Sequence, residues 1–197
     1  MVAVLPDASD ARLIERLRAN DLDALGVLFD RYYAQVYRTA AAITRDHAAA
    51  DDIAQDCFLR LHRYAKRIDT DLPLAPWLYR VTVNLSYTWA ARHYRRRVSL
   101  ESVVDFLMSP ARSAPDALAE RAHIREEVRQ AIQALSFNQR VVVVLYYLNG
   151  LSLEEIAETL ECPVGTVKSR LYYARENLRH RLGGIGEEPQ IAHGYSE

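Results

Sequence analysis

The stretch Ser152–Leu171, with the sequence SLEEIAETLECPVGTVKSRL, decides the fold of the second half of this chain. Ser152 places a hydroxyl three residues before the carboxylate of Glu155, a pairing typical of the first turn of a helix. The turn that follows ends at Pro163, which suits the first position of a second helix. Two short helices joined by such a turn predict a helix-turn-helix motif.

The second helix of this motif has an apolar side and a polar side. Val167, Leu171 and Ala174 recur at helical spacing and predict its buried face. The outward or flanking side chains, which can hydrogen-bond base edges and phosphates, are Thr166, Lys168, Ser169, Arg170, Tyr172 and Tyr173. Such a helix can enter the major groove of DNA, with its basic end near the phosphate backbone. The alternative is an ordinary helical hairpin with a solvated basic face.

Composition favours an all-α protein made of two small domains. The chain has 197 residues, of which half are hydrophobic, and only seven glycines and seven prolines. Cys57 and Cys162 lie far apart and show no metal-ligand spacing, which favours a reducing cytoplasm and no metal site. Because no apolar run approaches the roughly 20 residues of a membrane span, we expect a cytoplasmic protein without membrane insertion.

Charge is distributed unevenly along the chain. The net charge of −1 by itself argues against a nucleic-acid-binding protein. However, acids outnumber bases in residues 1–56, whereas arginine and lysine are concentrated in residues 92–97 and 168–181. An acidic part with two basic patches indicates two kinds of partner, a basic protein surface and a polyanion.

Helix-period apolar patterns divide the chain into two helical domains. We predict domains over residues 1–97 and 116–182, a flexible linker over 98–115 that is rich in Ser, Pro and Ala, and a disordered tail over 183–197. The helices predicted in the first domain are Ala11–Arg18, Leu22–Arg45, Ala48–Ala65 and Pro76–Arg96. Those predicted in the second include Gln139–Leu148, Leu153–Leu160 and Pro163–Leu182. The valine run within Gln139–Leu148 could form a strand, but it lies between helices with no partner strand.

The third predicted helix carries an acidic face. Asp52, Gln55 and Asp56 share one side, and an apolar stripe lies on the other, as expected of an amphipathic docking helix. One alternative is a face that is simply solvated. Another is the aspartate-rich Mg²⁺ and diphosphate motif of prenyl-transferring and terpene-cyclising enzymes, which Asp51-Asp52-x-x-x-Asp56 resembles. Those enzymes need a second acidic cluster and a longer bundle, so we expect no enzyme, catalytic residue or cofactor.

The fourth predicted helix combines a polar ridge with a buried side. Residues on the polar side are Arg80, Asn84, Tyr87, Ala91 and Arg95. This ridge could track a single DNA strand, because amide, guanidinium and phenol groups can bind bases and phosphates. Trp77 and Tyr79 are candidate platforms for an unstacked base, although Trp77 fits the core better.

Three segments resemble the extracytoplasmic-function (ECF) sigma factors. Residues 134–171 are similar to region 4, most specifically at Gly165-Thr-Val-Lys-Ser-Arg170, residues 51–61 to region 2.2, and residues 77–85 to regions 2.3 and 2.4. The sequence departs from the family pattern at three positions. Proline is usual in the family at the position of Ser136, tryptophan at that of His62, and arginine at that of Val83. A helix-turn-helix response regulator is the chief alternative, but its α/β receiver would show strand alternation in the first half.

The resemblance implies a protein that binds core RNA polymerase and promoter DNA and starts transcription. Core polymerase would be bound by Asp52, Gln55 and Asp56. The minus-10 element would be bound by Arg80, Asn84, Tyr87 and Arg95, and the minus-35 element by Thr166, Lys168, Ser169, Arg170 and Tyr172. Whether an anti-sigma factor is a further partner is left open.

Overall fold

The structure is a computed structural model that describes residues 8–98 and 127–183, with side chains up to residue 93 in the first range. All regular structure in these two ranges is helical, which confirms the predicted all-α class. The predicted linker lies outside the described residues from residue 99 onward, and the predicted tail lies outside them from residue 184 onward. None of the described helices has the length and apolar character needed to cross a membrane.

Four helices form the first unit. They are α1 (Asp10–Arg18), α2 (Leu22–Thr44), α3 (His47–Tyr64) and α4 (Leu74–Val98), with a 3-10 turn at Ala65–Arg67. Ser9, Asp21 and Asp46 accept a hydrogen bond from the first turn of α1, α2 and α3 respectively. Each cap satisfies a backbone N–H group that has no partner inside the helix, so these polar residues define where the helices begin.

The start of α4 differs from the predicted one. The helix begins at Leu74, two residues before Pro76, which was expected at the first position. Proline is tolerated anywhere in the first turn, because the N–H groups there have no acceptor within the helix. Leu74 is buried in the core. Burial of this leucine therefore extends the helix toward its N-terminus, beyond the start that local sequence signals predict.

The second unit contains residues 127–133 (α5), Phe137–Val143 (α6), Leu153–Thr159 (α7) and Val164–Leu182 (α8). The valine run is helical, as predicted, and is buried. It continues into a π-helical turn at Val144–Leu148, which the Asn149 N–H closes on the Val144 carbonyl. Gly150 then adopts a left-handed φ of 71°, which glycine tolerates best.

Two serines cap helices of the second unit. Ser152 and Glu155 form the predicted capping box at α7. Ser136 forms a second capping box with Gln139 at α6, which gives a structural role to the residue that departs from the family pattern. Pro163 is the N-cap of α8, so this helix begins at Val164, one residue later than predicted. An N-cap residue needs no intrahelical donor, so proline costs no hydrogen bond there.

The two units pack against each other. Ile43, Tyr79 and Val83 of the first unit lie in one buried apolar cluster with the valines of α6. The Arg140 guanidinium, on α6, is buried and donates to the carbonyl oxygens of Ile43, at 2.6 Å, and of Leu135, at 2.8 Å. Burial lowers the pKa of Arg140 to about 10, so this side chain is still charged at neutral pH. A buried cation therefore joins the end of α2 to the second unit.

Candidate polymerase and nucleic-acid interfaces

Packing of α3 against α2 orients the acidic face. The rings of Phe29 and Phe58 lie 4.9 Å apart, and Ile53, Cys57 and Leu61 are buried between the helices. This packing leaves the predicted docking residues Asp52, Gln55 and Asp56 exposed on the opposite side of α3.

The carboxylates of α3 do not share one environment. Asp51 accepts a hydrogen bond of 2.6 Å from the Tyr33 hydroxyl, and this bond raises the pKa of Tyr33. Asp52 and Asp56 make no hydrogen bond or ion pair within the described residues, so they are available to a partner. Leu59 is 61% exposed one turn further along the helix, and it presents apolar surface that sequence patterning did not single out.

The polar ridge of α4 lies opposite buried Leu78 and Leu85. Arg80 and Asn84 are exposed, and Tyr87 is half-buried. The Arg95 side chain lies outside the described residues. Thr82 and Ser86, which are also buried, donate to carbonyls of their own helix.

Neither candidate stacking platform presents a free ring. Tyr79 is only 3% exposed and packs in the cluster between the two units. Trp77 is half-buried against the core of the first unit. A different aromatic pair lies near the end of α4, where the Trp89 and His93 rings stack with centroids 4.9 Å apart. Trp89 is half-buried and packs against the core of the first unit.

Two ridge residues contact the second unit. Arg80 forms an ion pair with Glu161, which lies in the turn of the helix-turn-helix. The Tyr87 hydroxyl donates to the Asn138 Oδ1 atom at 3.0 Å, and its ring packs against Phe137 with centroids 5.0 Å apart. Burial raises the pKa of Tyr87. Part of the ridge is therefore covered by the helix-turn-helix unit.

The second helix of the motif, α8, presents the predicted polar residues as expected from its spacing. Val167, Leu171 and Ala174 are buried against the rest of the unit. On the other side the exposed residues are Lys168, Ser169, Tyr172 and Tyr173, whereas Thr166 and Arg170 are half-buried. Several donors thus lie on the first two turns of one exposed helix face, as a helix that enters the major groove requires.

The basic end of α8 is partly engaged within its own unit. Arg175 donates to the Tyr147 hydroxyl at 2.9 Å, and its guanidinium lies 5.5 Å from the centroid of the Tyr146 ring. Arg179 pairs with Glu176 on the same helix. Tyr147 is 57% exposed, so this corner presents aromatic as well as cationic surface.

Two family models match the chain, Sigma-70 region 2 over residues 28–97 and Sigma-70, region 4 over residues 125–178. The chain is 32% identical over 187 residues to the RNA polymerase sigma-H factor of Pseudomonas aeruginosa, covering 91% of this chain and 96% of that one. It is also 32% identical over 185 residues to the ECF RNA polymerase sigma-E factor of Escherichia coli, covering 88% and 94% respectively. The chain belongs to the ECF sigma factors. This sigma factor acts in promoter recognition and transcription initiation with RNA polymerase.

Solved structures share the fold of this sigma factor. CnrH, in complex with the cytosolic domain of CnrY, superposes with a TM-score of 0.63 at 24% identity, covering 90% of this chain and 99% of that one. The sigma factor RpoE of Bartonella quintana, in complex with the anti-sigma factor NepR, gives 0.62 at 23% identity, covering 80% and 96%. These likenesses confirm the predicted all-α fold class.

Proposed function

We propose that this sigma factor binds core RNA polymerase through the exposed acidic face of α3, holds the minus-10 strand along α4, and binds the minus-35 element through α8. The observation that supports the proposal is that α3, α4 and α8 each have a buried apolar side and an exposed polar side. The exposed predicted residues are Asp52, Gln55 and Asp56 on α3, Arg80 and Asn84 on α4, and Lys168, Ser169 and Tyr172 on α8. The protein acts by binding in the cytoplasm, without a catalytic residue or cofactor of its own.

The acidic face suits a basic protein surface. Asp52 and Asp56 have no partner in the described residues, and opposite charges across an interface speed association and select the partner. Exposed Leu59 adds apolar area beside them. Charged groups around an apolar contact are the usual composition of a specific protein interface.

The α4 ridge suits an unpaired DNA strand. Arg80 offers guanidinium donors to a phosphate, and Asn84 offers both a donor and an acceptor to a base edge. Tyr87 extends the ridge by one turn, and we assign Arg95 to its far end from the spacing of the sequence alone. Exposure of Asn84 supports its contact with a base.

The α8 face suits the major groove. We assign Lys168 and Arg170 to base edges or phosphates, and the hydroxyls of Thr166, Ser169 and Tyr172 to further hydrogen bonds. The exposure of Lys168, Ser169 and Tyr172 supports this role. Tyr172 is 61% exposed and the adjacent Tyr173 is 60% exposed, so the two rings add aromatic surface to this face.

Domain limits of 1–97 and 116–182 follow from the same proposal, with residues 98–115 as the linker and 183–197 as a tail. Limited digestion with trypsin is expected to cut the linker at Arg112 and leave two protected fragments. An anti-sigma partner is also proposed, because CnrH and RpoE, which share the fold, were each solved with a bound protein.

Run-off transcription tests the proposal as a whole. Purified core polymerase is expected to give specific transcripts from genomic promoter fragments only when this chain is added. The same assay with the region 4 face altered by Lys168→Ala and Arg170→Ala should lose those transcripts. Transcripts that do not depend on the chain would contradict the proposed function.

A further inference from the structure

The contacts between the two units involve the residues of the α4 ridge. Arg80 reaches Glu161 and Tyr87 reaches Asn138, so the helix-turn-helix unit occupies two positions that the proposed function assigns to the minus-10 strand. A strand could not lie along the full ridge while these contacts persist. The described arrangement is therefore closed with respect to DNA.

Glu161 ends α7 in a left-handed conformation, which the turn requires because the Glu161 N–H donates to the Glu158 carbonyl and the Cys162 N–H donates to the Ala157 carbonyl. Its φ is 50°, in the left-handed region where a β-carbon is disfavoured and glycine or asparagine is usual. Its side chain is 72% exposed and so contributes little to packing. The interaction of its carboxylate is with Arg80 of the other unit. The position therefore presents an anion to the ridge at some cost to the turn.

A carboxylate can take the place of a phosphate on arginine. The planar guanidinium binds both groups through the same forked hydrogen bonds. Because the Arg80 side chain is 45% exposed and that of Glu161 72%, water and salt weaken the pair. A polyanion that offers several phosphates can displace such a contact, whereas the buried Arg140 contact to Ile43 is shielded from competition.

We propose that Glu161 is an intramolecular stand-in for a DNA phosphate, which holds Arg80 in the free factor and is displaced when a single strand enters the α4 ridge. This regulation rests on the proposed function of α4. It makes strand binding by the free factor weaker than the ridge alone would allow, and it predicts that loss of the Glu161 charge relieves that inhibition.

Carbodiimide cross-linking of the full chain tests the contact directly. In the variant Arg80→Lys, the carbodiimide activates the Glu161 carboxylate as an O-acylisourea. The lysine amine then attacks the carbonyl carbon and forms an amide bond, while one carboxylate oxygen leaves in the urea by-product. Peptide mass spectrometry is expected to find this cross-link, and not to find it in Arg80→Lys with Glu161→Gln. Excess oligo(dT) should reduce its yield several-fold. A missing cross-link, or one that bound oligo(dT) does not reduce, overturns the inference.

Strand affinity tests the consequence. With fluorescent oligo(dT) as the probe, Glu161→Gln is expected to bind about threefold or more tightly than the unaltered chain at low salt, and the difference should shrink at high salt. Glu158→Gln removes an exposed charge one turn earlier and is the matched control, expected to bind as the unaltered chain does. Equal affinity of the two variants overturns the inference. Run-off transcription by the unaltered chain then shows separately whether the proposed function stands.

Discussion

At the scale of the residue, the proposed function predicts that single side chains on α8 decide how strongly the second unit binds DNA. Lys168 is exposed and Arg170 is half-buried, so the two differ in how freely they can reach a base or a phosphate. Replacing either by alanine removes its positively charged donors from this face. A lost base contact weakens binding at one position of the site, whereas a lost phosphate contact weakens binding to every sequence alike.

Lys168→Ala and Arg170→Ala are each expected to weaken binding to the minus-35 element by about 1 to 3 kcal/mol if the residue contacts a base. Electrophoretic mobility shifts with polymerase holoenzyme on matched and mutated minus-35 sites measure the loss and its sequence dependence. Lys66→Ala, which removes an exposed lysine of the first unit, is the control. Unchanged binding by both α8 variants would show that the second unit does not use this face.

At the scale of the element, the proposed docking role of α3 depends on the separation of its two sides. The buried side fixes its position, so charges on the exposed side can change without loss of the fold. Asp52→Lys with Asp56→Lys should therefore weaken the complex with core polymerase by about tenfold or more, roughly 1.4 kcal/mol. A titration of fluorescent core polymerase measures the affinity.

Glu15→Lys with Asp30→Lys makes the matching charge change at exposed acids on α1 and α2. This control variant is expected to keep most of the affinity for core polymerase, because its changes lie outside the proposed docking face. A purely general electrostatic attraction would instead weaken both variants equally. Equal losses in the two variants, with circular dichroism unchanged, would remove the assignment of α3 as the docking helix.

The α4 ridge makes a separate prediction about DNA opening. Holding a base outside the stack must offset an unstacking cost of a few kcal/mol, so one lost contact shifts the balance between closed and open complex. Asn84→Ala is expected to reduce open complex more than polymerase binding, and a pre-melted minus-10 template should rescue part of the loss. Permanganate footprinting of thymines on both templates measures this. Equal defects on both would mean that Asn84 supports the fold instead.

At the scale of the whole molecule, Arg140 couples the two units. Arg140→Met would leave the carbonyls of Ile43 and Leu135 buried without a donor, at an expected cost of about 2 to 4 kcal/mol in the free energy of unfolding. Urea unfolding followed by circular dichroism measures it. Arg179→Met, at an exposed arginine on α8, should cost less than about 0.5 kcal/mol. A similar small loss for both would mean that the contact between the units contributes little stability.

The sequence by itself determined the helices and their buried faces. Caps such as Ser152, and apolar residues at helical spacing such as Val167 and Leu171, act over one or two turns, so local rules suffice to predict them. The exposed sides of α3 and α8 follow from the same periodicity. Family resemblance then supplied the function, because three motifs occur in the family's order.

Only the tertiary structure decided what each exposed side meets. Tyr79 and Val83 belong to the fourth predicted helix, yet they are buried by a unit more than fifty residues away along the chain. The contacts of Arg80 with Glu161, of Tyr87 with Asn138 and of Arg140 with Ile43 also join residues that are far apart in sequence. Periodicity states which side of a helix is apolar but not which distant surface covers it, because that choice depends on the packing of whole units. The closed ridge of α4 was therefore outside the reach of local sequence rules.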